Sequence, residues 1–509
     1  MTGKAINPHG ANANRLRARR LGVDTQFEAV VFMHKNCPVC RSEGFAAHNR
    51  IVLSAGSRQI IATLYQITTD LLGHDEAGLS ESAWTRLGLN DGDSIVASHP
   101  DPLESLSYVR SRIYGNEFDQ GAANAIISDV VDGKYSDIHL SAFLTAGAAR
   151  PLEHKEVLAL TRAMVEAGDR LSWNSEIVLD KHSVGGLPGN RTTPIVVSII
   201  ASLGLTMPKT SSRAITSPAG TADTMETMAP VELDTKAIHK VVEQEGGCIV
   251  WGGAVKLSPA DDILIRVERA LDLDSEGQMI ASVLSKKIAA GSTHLVLDLP
   301  FGPTAKVRSE KAATALSRAL IATAEDFGLQ AKVVMGDGTQ PIGRGIGPAL
   351  EAHDVLAVLQ CAPDAPQDLK GRATALAGAL IELAGHVPSG LGEAKAAQVL
   401  DDGRAWAKFQ RICEAQGGMR VPPISQHQRQ IISNRTGKIS AIDNRRIAKL
   451  AKLAGAPDDK AAGVELHVKV GERVTIGEPL CTVHSESPGE LAYALDYASK
   501  NQDIIEVQE

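Results

Sequence analysis

The stretch that decides the fold covers residues 177–194 and reads Ile177-Val178-Leu179-Asp180-Lys181-His182-Ser183-Val184-Gly185-Gly186-Leu187-Pro188-Gly189-Asn190-Arg191-Thr192-Thr193-Pro194. A short apolar strand leads into a glycine-rich loop and the loop into a helix, with Thr193 suited to the N-cap and Pro194 to the first helical position. The free N–H groups and the dipole of a helix start favour a bound anion, and Lys181, Ser183 and Thr193 would add donors. The spacing is not that of a Walker loop. The sequence therefore predicts an anion site of another kind, with a structural glycine turn as the alternative.

A second polar loop supports the same interpretation. Residues 209–223 combine several hydroxyl side chains with Arg213 and Gly220, and Asp223 and Glu226 have the spacing of a capping box at a helix start. Ligands of parallel sheets bind beyond the carboxyl ends of the strands, so two such loops after successive strands favour a phosphate site. A helix cap followed by a surface loop is the alternative.

A third element lies at residues 274–287. Gln278, Ser282 and Lys286 are four residues apart and share one face of a predicted helix, and Asp274 stands at its start. Such a polar seam on a mostly apolar helix can hold a substrate. A solvated helix face explains the same spacing, and periodicity alone favours that explanation.

The composition is that of a globular protein with several domains. The chain has 509 residues, a formal net charge of −8, 43% hydrophobic residues and 22% charged residues. At about 150 residues per domain, this length predicts three or four domains. The acidic balance excludes a nucleic-acid binder that works through a large basic face, although a local cluster still allows a small anionic substrate. The sequence has no apolar run long enough for a membrane span, and six cysteines in so long a chain indicate a reducing cytoplasm.

Changes of texture along the chain predict a multidomain α/β protein in four parts. Residues 1–102 form a β-rich domain, with a loose tail over 1–24 and a barrel as its possible form, and residues 103–172 form a helical domain. Residues 173–420 form a central α/β domain with a mostly parallel sheet, whose helices near 258–290 are candidates to pack with the helical domain. Residues 421–509 form an α+β domain with a half-buried hairpin at 464–480. The strands predicted for the central domain are Ile177–Leu179, Cys248–Trp251, His294–Leu299 and Lys332–Met335.

These motifs together resemble one known family. Lys181-His182-Ser183-x-Gly185-Gly186, Ser211-Ser212-Arg213 with Gly220-Thr221-Ala222-Asp223, and Ser282-x-x-x-Lys286 with Arg266 upstream are similar to the signatures of the thymidine phosphorylase family, the type II nucleoside phosphorylases. The resemblance extends from about residue 105 to the end. An extra residue within 187–190, the composition of the second loop and the additional N-terminal domain look closer to the archaeal AMP phosphorylase branch. Long bacterial members of this form are usually labelled thymidine phosphorylases.

The resemblance implies roles for individual residues. Inorganic phosphate, the co-substrate, would be bound by Lys181, Ser183, Thr193, Ser211 and Thr221. The pyrimidine would be held by Arg266, Ser282 and Lys286. The nucleotide-using branch adds Gly186, Ser212, Arg213, Ala214, Ile215, Thr216, Ser217, Thr221, Ser282 and Lys306 as binding positions and Asp274 as proton donor. The resemblance implies no metal or cofactor, and a homodimer formed through helices of the 105–170 region.

The reaction implied is phosphorolysis of an N-glycosidic bond. Phosphate attacks the anomeric carbon through an oxocarbenium-like transition state while the base leaves. His182 is a candidate donor of a hydrogen bond or proton to a pyrimidine carbonyl, and Asp274 a candidate acid for a purine nitrogen if burial raises its pKa. The substrate is a nucleoside or a nucleoside 5′-monophosphate, and Arg213 and Lys306 are the candidate cations for a 5′-phosphate. An anthranilate phosphoribosyltransferase-like enzyme and an inactive nucleotide-binding regulator are the alternatives.

Two further motifs are interpreted as structural. Cys37-Pro38-Val39-Cys40 near His34 has the spacing of a zinc or redox site, but no second pair follows to complete a tetrahedral zinc site. The glycine-rich segment 336–347 follows a strand without the spacing of a dinucleotide-binding loop. We expect a structural role for both.

Overall fold

The structure is a computed structural model that describes residues 14–26, 28–184, 186–214, 217–271, 273 and 275–509, without the side chain of Arg269. The chain divides into two compact units. One unit comprises residues up to Asn116 together with Ser128–Phe143, and the other comprises Glu117–Ile127 together with Leu144–Glu509.

The first unit contains a closed six-stranded barrel. Its elements are β1 (Arg15–Arg20), β2 (Val30–His34), α1 (Pro38–Ser42), β3 (Arg50–Ala55), β4 (Arg58–Ile67), β5 (Glu76–Leu79), α2 (Glu81–Leu87) and β6 (Ser94–Ser98). The strand order is β1-β5-β2-β4-β3-β6, and β6 pairs antiparallel with β1 to close the barrel. The predicted loose tail over residues 1–24 is wrong for β1, because Leu16 and Ala18 point into the core between exposed arginines. Residues 1–13 lie outside the described part.

Four helices follow the barrel, in agreement with the helical domain predicted for residues 103–172. They are α3 (Leu106–Ile113), α4 (Gln120–Val131), α5 (Asp137–Ala149) and α6 (His154–Glu166). One face of α6 is apolar and packed in the interior, since Val157, Leu160, Met164 and Val165 are all buried. The boundary between the two units crosses α4 and α5.

The central part of the second unit alternates strands and helices. In chain order they are β7 (Leu179–Ser183), α7 (Thr193–Ser202), β8 (Met207–Ser211), α8 (Thr221–Glu226), α9 (Thr235–Glu245), β9 (Gly247–Trp251), a 3₁₀ turn (Gly252–Val255), α10 (Pro259–Leu271), α11 (Glu276–Ala289), β10 (His294–Phe301), α12 (Glu310–Asp326), β11 (Gln330–Asp337), β12 (Gly345–Ile346), α13 (Pro348–Leu359), α14 (Gln367–Leu383), α15 (Gly392–Asp401) and α16 (Arg404–Ala415). Parallel pairing gives β11-β10-β7 and β8-β9, and a parallel bridge between Val178 and Thr206 joins the two sets. The predicted parallel sheet is confirmed, and α6 packs against α11.

Strand β7 differs from its prediction in a way that matters for the site. The apolar run predicts a strand over Ile177–Leu179, whereas the strand begins at Leu179 and continues to Ser183. Polar residues extend it because β7 pairs in parallel with β10 along its length. Side chains alternate across a strand, so Lys181 and Ser183 share one face of the sheet and Asp180 and His182 share the other.

The helix starts around the two loops are also shifted from their predictions. Thr192 is the residue before α7, so Thr193 is the first helical residue and Pro194 the second. Helix α8 follows Gly220, and Asp223 is its third residue rather than its cap. The Asp223 carboxylate accepts the backbone N–H of Gly220 at 2.9 Å and that of Ala214 at 2.6 Å.

The C-terminal segment forms two antiparallel sheets. Its elements are β13 (His427–Ile432), β14 (Gly437–Ile442), α17 (Asn444–Leu453), β15 (Gly463–Leu466), β16 (Arg473–Val474), β17 (Pro479–Ser485), α18 (Pro488–Lys500) and β18 (Ile505–Gln508). The sheet orders are β12-β15-β17-β13 and β16-β14-β18. The predicted hairpin exists as the β15–β17 pair, but β16 between them joins the other sheet. In the described part of the chain, no helix has the length and apolarity to span a bilayer.

Candidate active site

Lys181 is the centre of the candidate site. Its side chain is almost completely buried, at 2% exposure, and a buried ammonium needs hydrogen-bond partners. Nζ donates to Ser183 Oγ at 2.6 Å and to Thr192 Oγ1 at 2.7 Å. An ammonium has three protons, and within the described residues no third acceptor takes the remaining one. This proton is available to an anion.

Asp298 on β10 provides the negative charge behind Lys181. Its carboxylate accepts Ser183 Oγ at 2.7 Å, Asn190 Nδ2 at 2.9 Å and Arg372 Nη2 at 2.5 Å. Burial alone would raise the pKa of Asp298, but Lys181 and Arg372 outweigh it and hold that pKa below its usual value. Burial in turn lowers the pKa of Lys181 to about 8, with Asp298 opposing the effect and Arg372 adding to it. The ammonium of Lys181 therefore depends on Asp298.

Arg191 connects the first loop to the second. Its Nη1 donates to Thr221 Oγ1 at 2.7 Å, its Nη2 to the Ala219 carbonyl at 2.8 Å and its Nε to Glu351 Oε2 at 2.6 Å. Thr221 is the first residue of α8, and Arg191 lies two residues before the start of α7. The starts of these two helices are thus tied together by one side chain.

The glycine-rich segment 336–347 packs against the first loop. The N–H of Ile342 donates to the Pro188 carbonyl at 3.1 Å. Gly189 has a φ of +72°, and a Cβ there would lie 2.0 Å from the Ile342 carbonyl oxygen, so only glycine fits. These contacts agree with the structural role that the sequence predicts for this segment.

His182 faces the opposite side of the sheet, together with a buried cluster of charges. Asp180 accepts Lys287 Nζ at 2.8 Å and lies 3.4 Å from Lys209 Nζ, and all three side chains are buried. Burial first, and then four lysines led by Lys287 and Lys209, hold the pKa of His182 well below its ordinary value. The imidazole is therefore neutral, so that it can donate a hydrogen bond but not serve as a charged acid.

The predicted base-binding residues lie on two adjacent helices. Ser282 and Lys286 are half-buried on α11, and Arg266 is half-buried on α10. Lys286 Nζ donates to Asp261 Oδ2 at 2.6 Å. The amide nitrogen of Gln278, on the same face of α11, is buried without a hydrogen-bond partner in the described residues. Asp274, the predicted acid, lies outside those residues.

Two of the predicted phosphate ligands are placed differently from Lys181 and Ser183. Ser211 ends β8 and its hydroxyl donates to the Val250 carbonyl at 2.9 Å. Thr193 is buried inside the first turn of α7, and it is Thr192 that contacts Lys181. The role of Thr193 as a phosphate ligand stays a prediction, and Thr192 is a second candidate hydroxyl at the start of α7 because it contacts Lys181.

Arg213, the predicted cation for a 5′-phosphate, is paired with carboxylates in this structure. It binds Glu226 through both Nη atoms at 2.8 Å, Glu232 at 2.9 Å and Asp223 at 3.3 Å, and its guanidinium lies 5.0 Å from the centre of the Trp251 ring. The remaining residues predicted to bind a nucleotide differ in their exposure and in their hydrogen bonds. Gly186 and Ser212 are exposed loop residues, Ala214 N and Ser217 Oγ bond within the second loop, Lys306 is exposed after β10, and Ile215 and Thr216 lie outside the described residues.

Sequence reasoning missed the supporting residues around Lys181: Thr192, Asn190, Arg191, Asp298, Glu351 and Arg372. Asp298 had a usable signal, since a lone carboxylate in an otherwise apolar buried strand is rarely without a partner. Arg372 lies in an alanine-rich helix, and nothing in the pattern of α14 indicates that it reaches the strand ends.

Comparison with known proteins identifies the family. Models described as the helical bundle domain and the a/b domain of a glycosyl transferase family match residues 106–168 and 175–406, and a pyrimidine nucleoside phosphorylase C-terminal domain matches residues 438–505. A Sphingopyxis alaskensis protein named "Putative thymidine phosphorylase" is 61% identical over 97% of this chain and 96% of its own length. A protein of the same name from a Chelativorans species is 58% identical over 99% of both chains.

Solved structures with a similar fold include two anthranilate phosphoribosyltransferases. The enzyme from Thermus thermophilus has a TM-score of 0.50 at 23% identity and covers 60% of this chain and 98% of its own. The enzyme from Saccharomyces cerevisiae has a TM-score of 0.50 at 16% identity, with 62% and 98% covered. At these identities the likeness shows the fold alone. The full-length identity to the named relatives goes further: the chain belongs to the thymidine phosphorylase family and is a pentosyltransferase.

Proposed function

We propose that this protein catalyses the phosphorolysis of a nucleoside. Inorganic phosphate forms a bond to the anomeric carbon, the N-glycosidic bond breaks with its electron pair leaving on the base, and a proton from solvent completes the free base. The products are the base and a (deoxy)ribose 1-phosphate. The observation that carries the proposal is the buried ammonium of Lys181, which has one proton unused beside two hydroxyl groups. The names of the relatives support the substrate class.

The chain's own groups account for the two tasks of such a reaction. Phosphate must be held against the anomeric carbon, and Lys181, with the helix starts of α7 and α8, supplies donors and positive charge for it. The departing base accumulates negative charge, and donation of a hydrogen bond to its carbonyl oxygen by the neutral imidazole of His182 stays a prediction, because His182 lies on the opposite face of β7 from Lys181. The acid role of Asp274 stays a prediction.

A nucleoside is preferred here to a nucleoside 5′-monophosphate because of the charge around the second loop. A 5′-phosphate adds a second dianion and requires cations of its own. Arg213 is already paired with three carboxylates, and Lys460 lies 3.2 Å from one of them, Glu226. The homodimer, the cytoplasmic location and the absence of a cofactor also stay predictions.

The test is base release by the purified protein with and without inorganic phosphate, and without added metal. The substrates are thymidine, uridine, AMP, CMP and UMP. We expect release from a nucleoside only when phosphate is present, and loss of this activity in Lys181→Met. Lys408→Met is the matched control, since Lys408 is also a buried lysine paired with a carboxylate, Glu245.

Other outcomes decide against the proposal. Release from the monophosphates alone would replace the nucleoside with a nucleotide substrate. A rate of base release that is the same with and without phosphate would overturn the assignment of Lys181. Equal activity of Lys181→Met and Lys408→Met would overturn it as well. Activity that needs Mg²⁺ and a pyrophosphorylated sugar would favour the phosphoribosyltransferase alternative.

A further inference from the structure

Arg191 lies at the meeting point of the two loops, although no motif singles it out. Its side chain is 11% exposed, and its guanidinium makes three hydrogen bonds, to Thr221, Ala219 and Glu351, at 2.6–2.8 Å. A planar guanidinium with fixed donor directions holds three acceptors in a defined arrangement, which a lysine cannot do. The side chain therefore fixes the second loop relative to the first.

The direction of the bond to Thr221 has a chemical consequence. Arg191 Nη1 donates, so Thr221 Oγ1 uses a lone pair and keeps its own proton. In the described part of the chain, this hydroxyl donates to no other group. Thr192 is in the same condition, since its oxygen accepts Lys181 Nζ. Both hydroxyl groups are thus prepared as donors, which is what an anion requires.

Glu351 fixes Arg191 from the other side. Its carboxylate is 1% exposed and accepts Arg191 Nε at 2.6 Å and Thr224 Oγ1 at 3.1 Å. Thr224 belongs to α8 and Glu351 to α13, so the contact also connects these helices. Because Glu351 balances the charge of Arg191, the geometry of Arg191 matters more than its charge.

We propose that Arg191 is a positioning residue for the phosphate co-substrate, anchored by Glu351 and acting through the hydroxyl of Thr221. The assignment rests on the proposed function for the identity of the anion. It requires that loss of Arg191 weakens phosphate binding selectively and that the effect passes through Thr221. A merely structural role would instead weaken both substrates or neither.

The experiment measures initial rates at varied phosphate and varied nucleoside for Arg191→Gln, Arg191→Lys, Thr221→Val and the double variant Arg191→Gln with Thr221→Val. We expect the KM for phosphate to rise about tenfold to hundredfold in both Arg191 variants, as for a lost hydrogen bond to a charged group, with the KM for nucleoside within about twofold. The double variant should be little worse than Thr221→Val alone, because neighbours that act together are not additive. Lys408→Gln, which breaks an ion pair elsewhere, controls for general destabilisation.

A binding assay separates this inference from the proposed function. Protection against thermal unfolding by inorganic phosphate alone should be present in the wild type and in Lys408→Gln, and lost or much weakened in Arg191→Gln. That pattern supports the inference even if no nucleoside is cleaved. Equal protection of wild type and Arg191→Gln, absence of protection in the wild type, or full additivity in the double variant would each overturn it.

Discussion

Asp298→Asn tests how the charge of Lys181 is maintained. The substitution keeps the shape of the side chain and removes its negative charge. This carboxylate accepts hydrogen bonds from Ser183, Asn190 and Arg372. The amide of the variant has only one acceptor oxygen for these three donors, and its NH₂ group is a donor itself. Lys181 and Arg372 then share a buried space with no carboxylate between them. We expect losses in both stability and phosphate affinity.

The size of each loss follows from the contacts. Removing one partner of a buried ion pair costs about 3–5 kcal/mol, and we expect the lower end because the Arg372 side chain retains 12% exposure. The pKa of Asp298 is held below its usual value, so its stabilising effect is present above that usual value, is lost as the pH falls through the lowered one, and is complete at neutral pH. The pKa of Lys181 is already about 8, so a further fall removes the ammonium within the assay range. A loss of about tenfold or more in kcat/KM for phosphate is expected at pH 8.

The assay is the pH dependence of kcat/KM for phosphate, which reports the ionisation of the free enzyme. In the wild type we expect this quantity to fall as the pH rises through about 8, as Lys181 loses its proton. Asp298→Asn should move the fall to lower pH. Arg372→Gln should move it to higher pH, because Arg372 is a cation that disfavours the Lys181 ammonium.

The opposite directions of these two shifts make the reasoning easy to refute. Glu245→Gln breaks a comparable ion pair with Lys408 elsewhere in the molecule and should change stability without moving the profile. If both active-site variants leave the fall where it is in the wild type, or move it in the same direction, Lys181 is not the group that titrates.

Three further predictions concern single positions. Thr192→Val should raise the KM for phosphate about tenfold or more, and Thr193→Val should raise it less, because of the two only Thr192 contacts Lys181. Initial rates measured at varied phosphate compare the two variants. His182→Asn should lower kcat about hundredfold. In the wild type, kcat/KM for the nucleoside should not change near pH 6.5, because the pKa of His182 lies well below that value. A pH profile of kcat/KM from about pH 5.5 to 7.5 measures this. Leu16→Ala should destabilise the barrel by about 2–5 kcal/mol, and Arg15→Ala, on the exposed side of β1, should not; chemical denaturation compares the two.

The sequence predicted the parallel sheet because its signal is local. Runs such as His294–Leu299 and Lys332–Met335 are strongly apolar or β-branched, and the observed strands contain them. Strands with polar residues were harder to predict. β1 is mostly arginine and β7 continues through Asp180 and Lys181, and both exist because their neighbours in the sheet pair with them. Long-range pairing of this kind leaves no periodicity in the strand itself.

The candidate site was predictable to the extent that its residues are close in sequence. Lys181 and Ser183 stand two apart in one motif, and the structure joins them at 2.6 Å. The counter-charge of Lys181 comes from Asp298, more than a hundred residues later, and Asp298 is in turn paired with Arg372. No spacing rule connects such positions, because the topology of the sheet alone brings them together. For the same reason the sequence presents Arg213 as a candidate cation without indicating its partners in the fold, Glu226 and Glu232.

Strand β7 gives a physical reason why an acidic chain would bind the phosphate of the proposed reaction. Side chains alternate along β7, so Lys181 lies on one face of the sheet with Arg372 and Asp298. Asp180 lies on the other face with Lys209 and Lys287. Among the described residues, these two groups together contain four cations and two carboxylates. Buried charge without a partner is costly, and the lowered pKa values of Lys181 and Lys287, about 8 and about 7, show that cost. A phosphate dianion beside Lys181 would supply negative charge on that face of the strand. The net charge of −8 is spread over the whole chain, whereas two cations, Lys181 and Arg372, act on a single buried carboxylate, Asp298.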